Sequence, residues 1–261
     1  MTVAEALNFV PVFALVLFRL AGMMLFAPLF GSAKIPRRVK LLIALIMALT
    51  MCSAIDASKV QIPETMWGLA LGIGGELIFG LAMGTIVSFV FIAAQWAGEI
   101  IGQQMGLNIS EVLDPQFGQA GSLVGDLYFM LAMVVFLSPA VNGHHALVRG
   151  VRASFDAVPL MAAGMNHNLL DVLVGLFQSS AALAIQLAAP MLMTMLIVDV
   201  ALGCIGRAMP QMNVMAIGLS VRSLLGVGVL LVGLYLTTQV MQDVHLDWGD
   251  AAQAQWTAAP N

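Results

Sequence analysis

Charged side chains are scarce in this chain of 261 residues. Lysine and arginine together number 10, aspartate and glutamate number 14, and charged residues make up 9% of the composition. Hydrophobic residues make up 61%, and the mean hydropathy is +0.97. This balance excludes an ordinary soluble domain and indicates an integral membrane protein.

Basic patches and cysteine clusters are also missing. The formal net charge is -4 and the basic residues are scattered, so the sequence gives no support to nucleic-acid binding. The two cysteines, Cys52 and Cys204, lie in separate apolar segments without a metal-type spacing. We expect both thiols to pack as small hydrophobes rather than to form a disulfide. The sequence predicts no cofactor, no metal site and no catalytic residue.

Long apolar runs dominate the chain instead. Six runs are long enough, or nearly long enough, to span a bilayer, at about 9–30, 40–55, 66–94, 123–141, 169–204 and 212–241. The second run is shorter than the ~20 residues of a spanning helix, and we expect Pro190 to break the fifth. The prediction is an all-α, polytopic membrane protein with one domain over 1–242 and a polar tail over 243–261.

The loop charges conflict with simple alternation across a bilayer. The first loop contains four basic residues, Lys34, Arg37, Arg38 and Lys40. The positive-inside rule places that loop in the cytoplasm. The third loop, at about 95–122, would then be cytoplasmic although it is acidic, and the fourth, at about 142–168, would be outside although it contains Arg149 and Arg152. Loops or hairpins buried in an assembly do not follow the positive-inside rule. The sequence therefore leaves open whether the segments alternate simply across the bilayer or include buried hairpins.

Glycines at helical spacing occur along one long region, from about 66 to 106. Three sets lie four residues apart: Gly68 and Gly72, Gly80 and Gly84, and Gly98, Gly102 and Gly106. Small residues at this spacing let another helix backbone approach closely. We therefore expect tight helix packing, above all at Gly80, Gly84, Gly98 and Gly102.

Several charged residues lie in or near the apolar runs, namely Arg19, Glu76, Asp126, Asp171, Asp199 and Arg222. A central arginine costs about 2.5–3.5 kcal/mol on insertion scales, so such groups need partners or water. Two interpretations stay open. A proton relay through Glu76, Asp126 and Asp199 would make the chain a self-contained proton-coupled secondary transporter, whereas pairing between helices or subunits would specify assembly.

A third hypothesis is an intramembrane hydrolase that uses His144 or His145 with Ser138 or Asp126. The chain has no G-x-S-x-G motif, and two adjacent histidines in a short loop seldom form a metal site by themselves. The pattern favours a turn with a solvated or subunit-contacting histidine pair.

A polar stretch rich in helix breakers follows Gly106. We expect Asp114-Pro115 to end the preceding helix and Phe117-Gly118 to form a turn with an aromatic side chain. Polar backbone at membrane depth must meet protein or water. The stretch is therefore either a surface loop between two helices or a segment that enters a water-filled passage.

The most specific motifs are Gln104-Met105-Gly106 followed by Asp114-Pro115, and the run Pro210-Gln211-Met212-Asn213-Val214. Others occur in a fixed order around them: Arg19-x-x-Gly22, Glu76-x-x-x-Gly80-x-x-x-Gly84, Asn142-Gly143-His144, Ser154-Phe155, Ala189-Pro190 and Asp199. In this order, and to about residue 240, the chain resembles the FliR family of flagellar and type III secretion export-gate membrane proteins.

The resemblance implies a structural channel subunit in the bacterial inner membrane, within the flagellar basal body and its ring. It would assemble with FliP-like and FliQ-like subunits and contact membrane lipid, an FlhB-like subunit and transient unfolded export substrates. Some apolar segments would be hairpins buried in this helical gate. The resemblance also implies that a loop projects into the lumen as part of a plug, with Gly106, Asn108, Glu111, Asp114, Pro115, Phe117 and Gly118. Such a subunit catalyses nothing, because the proton motive force and a separate ATPase supply the energy.

Overall fold

The structure is a computed structural model that describes residues 3–28, 30–31, 35–52, 60, 63, 65–107, 122–161, 167–209, 211 and 214–257. Most of these residues lie in helices or turns, and no strand occurs among them. The helices are α1 (Val3–Phe26), α2 (Arg37–Cys52), α3 (Met66–Gln104), α4 (Leu123–Leu137), α5 (Gly143–Ala157), α6 (His167–Ala208) and α7 (Val214–Thr257). The prediction of an all-α protein is confirmed.

Among the described residues, four helices are long and apolar enough to cross a membrane. The spans are Phe9–Phe26 in α1, Met66–Gln104 in α3, Leu173–Ala208 in α6 and Ile217–Leu234 in α7. The second and fourth predicted runs form shorter helices, α2 with 16 residues and α4 with 15. At 1.5 Å per residue these are about 22–24 Å long, less than the ~30 Å of a bilayer core. The polytopic membrane class is confirmed.

Two local predictions about the helices are wrong. α6 runs without a break from His167 to Ala208 through Pro190, since membrane helices tolerate a proline where neighbouring groups satisfy the freed backbone. α5 lies within the stretch predicted as the fourth loop. Its two histidines and two arginines interrupt any apolar run, so a search for apolar segments misses it. α7 continues to Thr257 and thus gives most of the polar tail a helical backbone.

The chain forms two compact units. Unit 1 comprises Met1–Phe89, Gly143–Phe177 and Asp247–Asn261, and unit 2 comprises Val90–Asn142 and Gln178–Leu246. α3 contributes its first part to unit 1 and its last part, from Val90, to unit 2.

The core of unit 1 lies where α1 packs against α2. Leu15, Val16 and Leu20 of α1 are fully buried together with Ala48 of α2. Cys52 is buried in the same cluster, as predicted, whereas Cys204 on α6 is exposed. Both thiols are free, but Cys204 is not packed as predicted, and most of its described neighbours near the end of α6 are exposed as well.

The core of unit 2 contains an aromatic cluster between α3 and α4. The ring of Phe91 lies 5.9 Å from that of Phe129 and 5.4 Å from that of Phe136, measured between centroids. Two methionines of α6, Met191 and Met195, are buried in this unit at 3% and 1% exposure. Unit 2 is therefore packed around aromatic rings and flexible thioethers, which fill irregular spaces well.

Candidate functional site

Arg19 of α1 and Glu76 of α3 form a buried ion pair in unit 1. Their side chains are 1% and 0% exposed, and Arg19 Nε donates to Glu76 Oε2 at 2.5 Å. The two residues are 57 positions apart in the sequence. A buried pair of this kind holds its two helices in one register, because losing either partner leaves an uncompensated charge in a low dielectric.

The rest of the Arg19 guanidinium binds to the end of α5. Nη1 donates to the carbonyl oxygens of Ser154 at 3.1 Å and of Val158 at 3.0 Å. The rings of Phe79 and Phe155 lie 4.8 and 4.6 Å from the guanidinium carbon, within cation–π distance. Arg19 Nη2 is buried and has no hydrogen-bond partner among the described residues.

Both oxygens of Glu76 have partners. Oε1 accepts the backbone N–H of Met161 at 2.9 Å, while Oε2 accepts from Arg19. Met161 has a left-handed backbone with φ 72°, which is uncommon for a residue with a side chain. The ion pair thus joins α1, α3 and the turn after α5, and this geometry matches pairing between helices better than a proton relay.

Glycines bring α1 and α3 together on either side of this ion pair. A Cβ atom at Gly80 would overlap the carbonyl oxygen of Arg19, and one at Gly84 would overlap that of Met23. Gly22 on α1 faces the carbonyl oxygen of Leu77 in the same way. Contact between the two backbones therefore requires glycine at all three positions.

In unit 2, Gly98 of α3 makes a similar close backbone contact with α4. A Cβ atom there would lie 2.5 Å from the carbonyl oxygen of Val124 and 2.7 Å from Cα of Gly125. Gly102, one turn further along α3, is buried. The start of α4 is capped by Ser122, whose Oγ accepts the N–H of Gly125 at 3.2 Å.

The end of α3 differs from the predicted helical glycine ladder. The helix stops at Gln104 and not at Asp114-Pro115 as predicted, and Gly106 adopts φ 75°. The N–H of Leu107 donates to the carbonyl of Gly102 at 3.1 Å, and that of Gly106 donates to Gln103 at 3.0 Å. This is a Schellman motif, in which glycine supplies the left-handed residue that ends the helix. Gly106 is therefore a cap and not a third packing position.

α7 holds this helix end in place. Ser223 Oγ lies 3.0 Å from the carbonyl oxygen of Met105, and Met105 itself is 1% exposed. A Cβ atom at Gly226 would overlap the side chain of Met105 and would lie 2.9 Å from Cε of Met191. The residues predicted for the luminal loop, Asn108, Glu111, Asp114, Pro115, Phe117 and Gly118, lie outside the described residues.

A second ion pair joins α6 and α7 in unit 2. Arg222 Nη2 lies 2.5 Å from Asp199 Oδ1 without the alignment of a hydrogen bond, and the side chains are 39% and 41% exposed. Unlike Arg19 and Glu76, this pair is half open to its surroundings.

The residues of the hydrolase hypothesis do not all meet. Asp126 is exposed in the first turn of α4 and Ser138 follows the last turn, 12 residues later, which is about 18 Å along a helix. The rings of His144 and His145 lie at the start of α5 with centroids 4.2 Å apart and planes tilted by 40°. Among residues whose side chains are described, no group of three or more His, Cys, Asp or Glu could hold a metal ion.

Residues 10–247 match the family model described as bacterial export proteins, family 1. The chain belongs to this family. Arg19, Glu76, Asp199 and Arg222 all lie within the matched residues, as do the packing glycines. The resemblance inferred from the order of motifs is confirmed.

Named relatives are similar over most of their length. The chain is 32% identical to the flagellar biosynthetic protein FliR of Bacillus subtilis over 216 residues, which cover 81% of this chain and 82% of the relative. It is 28% identical to FliR of Escherichia coli, covering 82% of this chain and 80% of that protein. It is also 27% identical to the surface presentation of antigens protein SpaR of Shigella flexneri, covering 83% and 82%. The chain is thus a helical membrane protein of a bacterial export family.

Proposed function

We propose that this chain is a structural channel subunit of a flagellar type III protein export gate. In this proposal it assembles with FliP-like and FliQ-like subunits in the bacterial inner membrane, within the flagellar basal body. Unfolded export substrates pass through the assembly, and an FlhB-like subunit associates with it. Support comes from the family membership and from relatives that are named as flagellar biosynthetic proteins.

The observation that carries the proposal is the fixed end of α3. The Schellman motif at Gly106 turns the chain sharply, and Ser223 and Gly226 of α7 hold Met105 immediately before the turn. We infer that the segment after Gly106 enters the passage and restricts it, with Asp114-Pro115 and Phe117 as its central residues.

The buried ion pair and the packed methionines have a structural role in this proposal and no catalytic one. The Arg19–Glu76 pair, with its three-way connection, keeps unit 1 rigid. Methionines such as Met105 and Met191 pack at the base of the loop, where flexible thioethers adapt when neighbouring backbone shifts. A subunit of this kind has only to hold a passage closed at rest and let it widen when a substrate enters.

Deleting residues 110–118 tests the proposal. The chain should still co-purify with FliP-like and FliQ-like subunits, because the deleted residues follow the anchored helix end. Cells with the deletion should become permeable to small solutes, since the restriction is gone. The matched control replaces 110–118 with a glycine–serine segment of equal length, which keeps the connection but removes the aromatic and acidic side chains.

Two outcomes would contradict the proposal. If the membrane with the deletion stays as tight as with the wild-type chain, the segment does not restrict the passage. If the chain alone, reconstituted in liposomes, takes up solute driven by a proton gradient and binds no other subunit, it is a self-contained secondary transporter.

A further inference from the structure

A cavity of about 70 Å³ lies inside unit 2, where parts of α3, α4, α6 and α7 meet. Pro190 of α6 lines it, and so do Gly233 and Thr237 of α7. Packed protein interiors contain few voids larger than a water molecule. A cavity of this size therefore leaves the helices around it room to move without a clash.

Pro190 weakens α6 beside this cavity. A proline has no N–H, so the carbonyl of Gln186, one turn earlier, does not receive its helix hydrogen bond. Gln186 lines the cavity as well. One turn later, Thr194 Oγ1 donates to the carbonyl of Pro190 at 2.8 Å, a contact that often bends helices. At this level α6 is held by fewer backbone hydrogen bonds than in an unbroken helix.

α7 is weakened where it lines the same cavity. Gly233 has the backbone freedom that a side chain would restrict, and Thr237 Oγ1 donates to its carbonyl at 2.9 Å. Such threonine contacts also occur in α2 and α3, and Pro11 lies inside α1, so neither feature is informative alone. The cavity is distinguished by a proline in one helix wall and a glycine in the other.

One residue of the cavity wall connects it to the end of α3. Met191 follows Pro190 directly and lines the cavity. A Cβ atom at Gly226 would overlap Met105 and would lie 2.9 Å from Cε of Met191, so both methionines pack at the same point of α7. A bend of α6 at Pro190 therefore moves a side chain that packs beside Met105, immediately before the turn at Gly106.

We propose that α6 and α7 share a hinge at Pro190 and Gly233, and that the cavity is the space into which the two helices bend. Hinges are a few residues that absorb a change in backbone angles. Bending shifts Met191 against Met105 and lets the start of the luminal segment move when a substrate widens the passage. This inference rests on the proposed function, because it assigns the hinge to the opening of the gate.

Pro190→Ala tests the hinge in α6. Alanine supplies the N–H that the carbonyl of Gln186 lacks, so the variant should be at least as thermally stable as wild type. Bending must then break the added hydrogen bond, so the rate of export of a tagged flagellar substrate should fall about fivefold. Pro11→Ala is the matched control, since Pro11 lies inside α1 and lines no part of the cavity. Its export rate should equal that of wild type.

Three results with these variants would overturn the hinge. The first is wild-type export with Pro190→Ala, and the second is an equal loss of export with Pro11→Ala. The third is a loss of export together with lower thermal stability of Pro190→Ala, because that combination indicates damaged packing.

Gly233→Ala tests the hinge in α7 independently. Alanine restricts the backbone and adds a methyl group to the cavity wall. Gly228→Ala, five positions earlier in α7, brings the same gain in helix propensity but lies outside the cavity wall. A Cβ atom at either position would meet nothing within 4 Å, so both variants should be at least as stable as wild type. Export should fall with Gly233→Ala and stay normal with Gly228→Ala, and equal export with the two variants would overturn the hinge.

Export is measured in cells in which this chain replaces their own FliR-like subunit. If the wild-type chain restores no export there, it is the proposed function that fails. If it restores export and neither Pro190→Ala nor Gly233→Ala lowers it, the hinge alone fails.

Discussion

The carboxylate of Glu76 accepts the backbone N–H of Met161, 85 residues further along the chain, at 2.9 Å. Its other oxygen accepts from Arg19, so one buried carboxylate satisfies a side-chain cation and a left-handed backbone turn at once. These two contacts explain how the apolar helix α3 accommodates a buried charged residue. Without Glu76, both the guanidinium of Arg19 and the N–H of Met161 would lose an acceptor.

Replacing Glu76 with glutamine should destabilise unit 1 strongly. The amide oxygen of Glu76→Gln keeps an acceptor for Met161, but the charge of Arg19 is left unpaired, which costs about 3–5 kcal/mol in buried pairs. The folded chain recovered after detergent extraction should fall sharply. The double variant Arg19→Leu with Glu76→Leu should recover better than either single leucine variant, because it buries no lone charge. Wild-type recovery of Glu76→Gln would show that the pair does not hold the unit together.

Alanine at Gly80 should separate α1 from α3. Its Cβ atom would overlap the carbonyl oxygen of Arg19, and a backbone atom cannot move aside without shifting a helix. Alanine at Gly74, on the same helix, is the matched control because a Cβ atom there meets nothing within 4 Å. Thermal unfolding in detergent should show Gly80→Ala as less stable and Gly74→Ala as unchanged, or more stable by up to ~1 kcal/mol from helix propensity. Equal stability of the two variants would mean that the helices do not make this contact.

Substitutions at Gly106 should follow the backbone conformation. The φ of 75° costs an ordinary residue about 1–2 kcal/mol, whereas asparagine tolerates the left-handed region better. The expected order of thermal stability is glycine, then asparagine, then alanine, and solute leakage should rise in the same order if the cap positions the luminal loop. An alanine variant as stable as wild type would argue against the Schellman end of α3.

Leucine at Gly226 in α7 should displace Met105, which lies at the end of α3 just before the predicted luminal loop. Its side chain would occupy the space of Met105 and Met191, both of which are buried. Gly228→Leu, two positions further along the same helix, is the control because a Cβ atom there meets nothing within 4 Å. We expect export, measured as motility in soft agar, to fall with Gly226→Leu and to stay normal with Gly228→Leu. Normal motility with both variants would show that contact between Met105 and α7 is unimportant for the gate.

The predictions from sequence succeeded for features that depend on neighbouring residues. The lengths of the apolar runs near α1, α3, α6 and α7 were sufficient to predict membrane-spanning helices. The predictions from sequence failed for α5, where polar residues form a helix, and at Pro190, where the surrounding helix tolerates a proline. The contribution of Ser154, Val158 and Met161 to the Arg19–Glu76 site was missed because it comes from backbone groups, which leave no signal in the amino-acid types.

The sequence by itself determined the membrane class, the helical character and the family, since composition, run length and motif order are properties of the chain as written. Only the tertiary structure decided which charges meet. Arg19 and Glu76 are 57 residues apart, and their pairing depends on Gly22, Gly80 and Gly84 bringing two backbones into contact. The tertiary structure also decided that Gly106 ends α3. In the sequence, a glycine at helical spacing looks the same whether it packs against another helix or caps its own. The difference is its φ angle, which the hydrogen bonds of Gly106 and Leu107 set at the helix end.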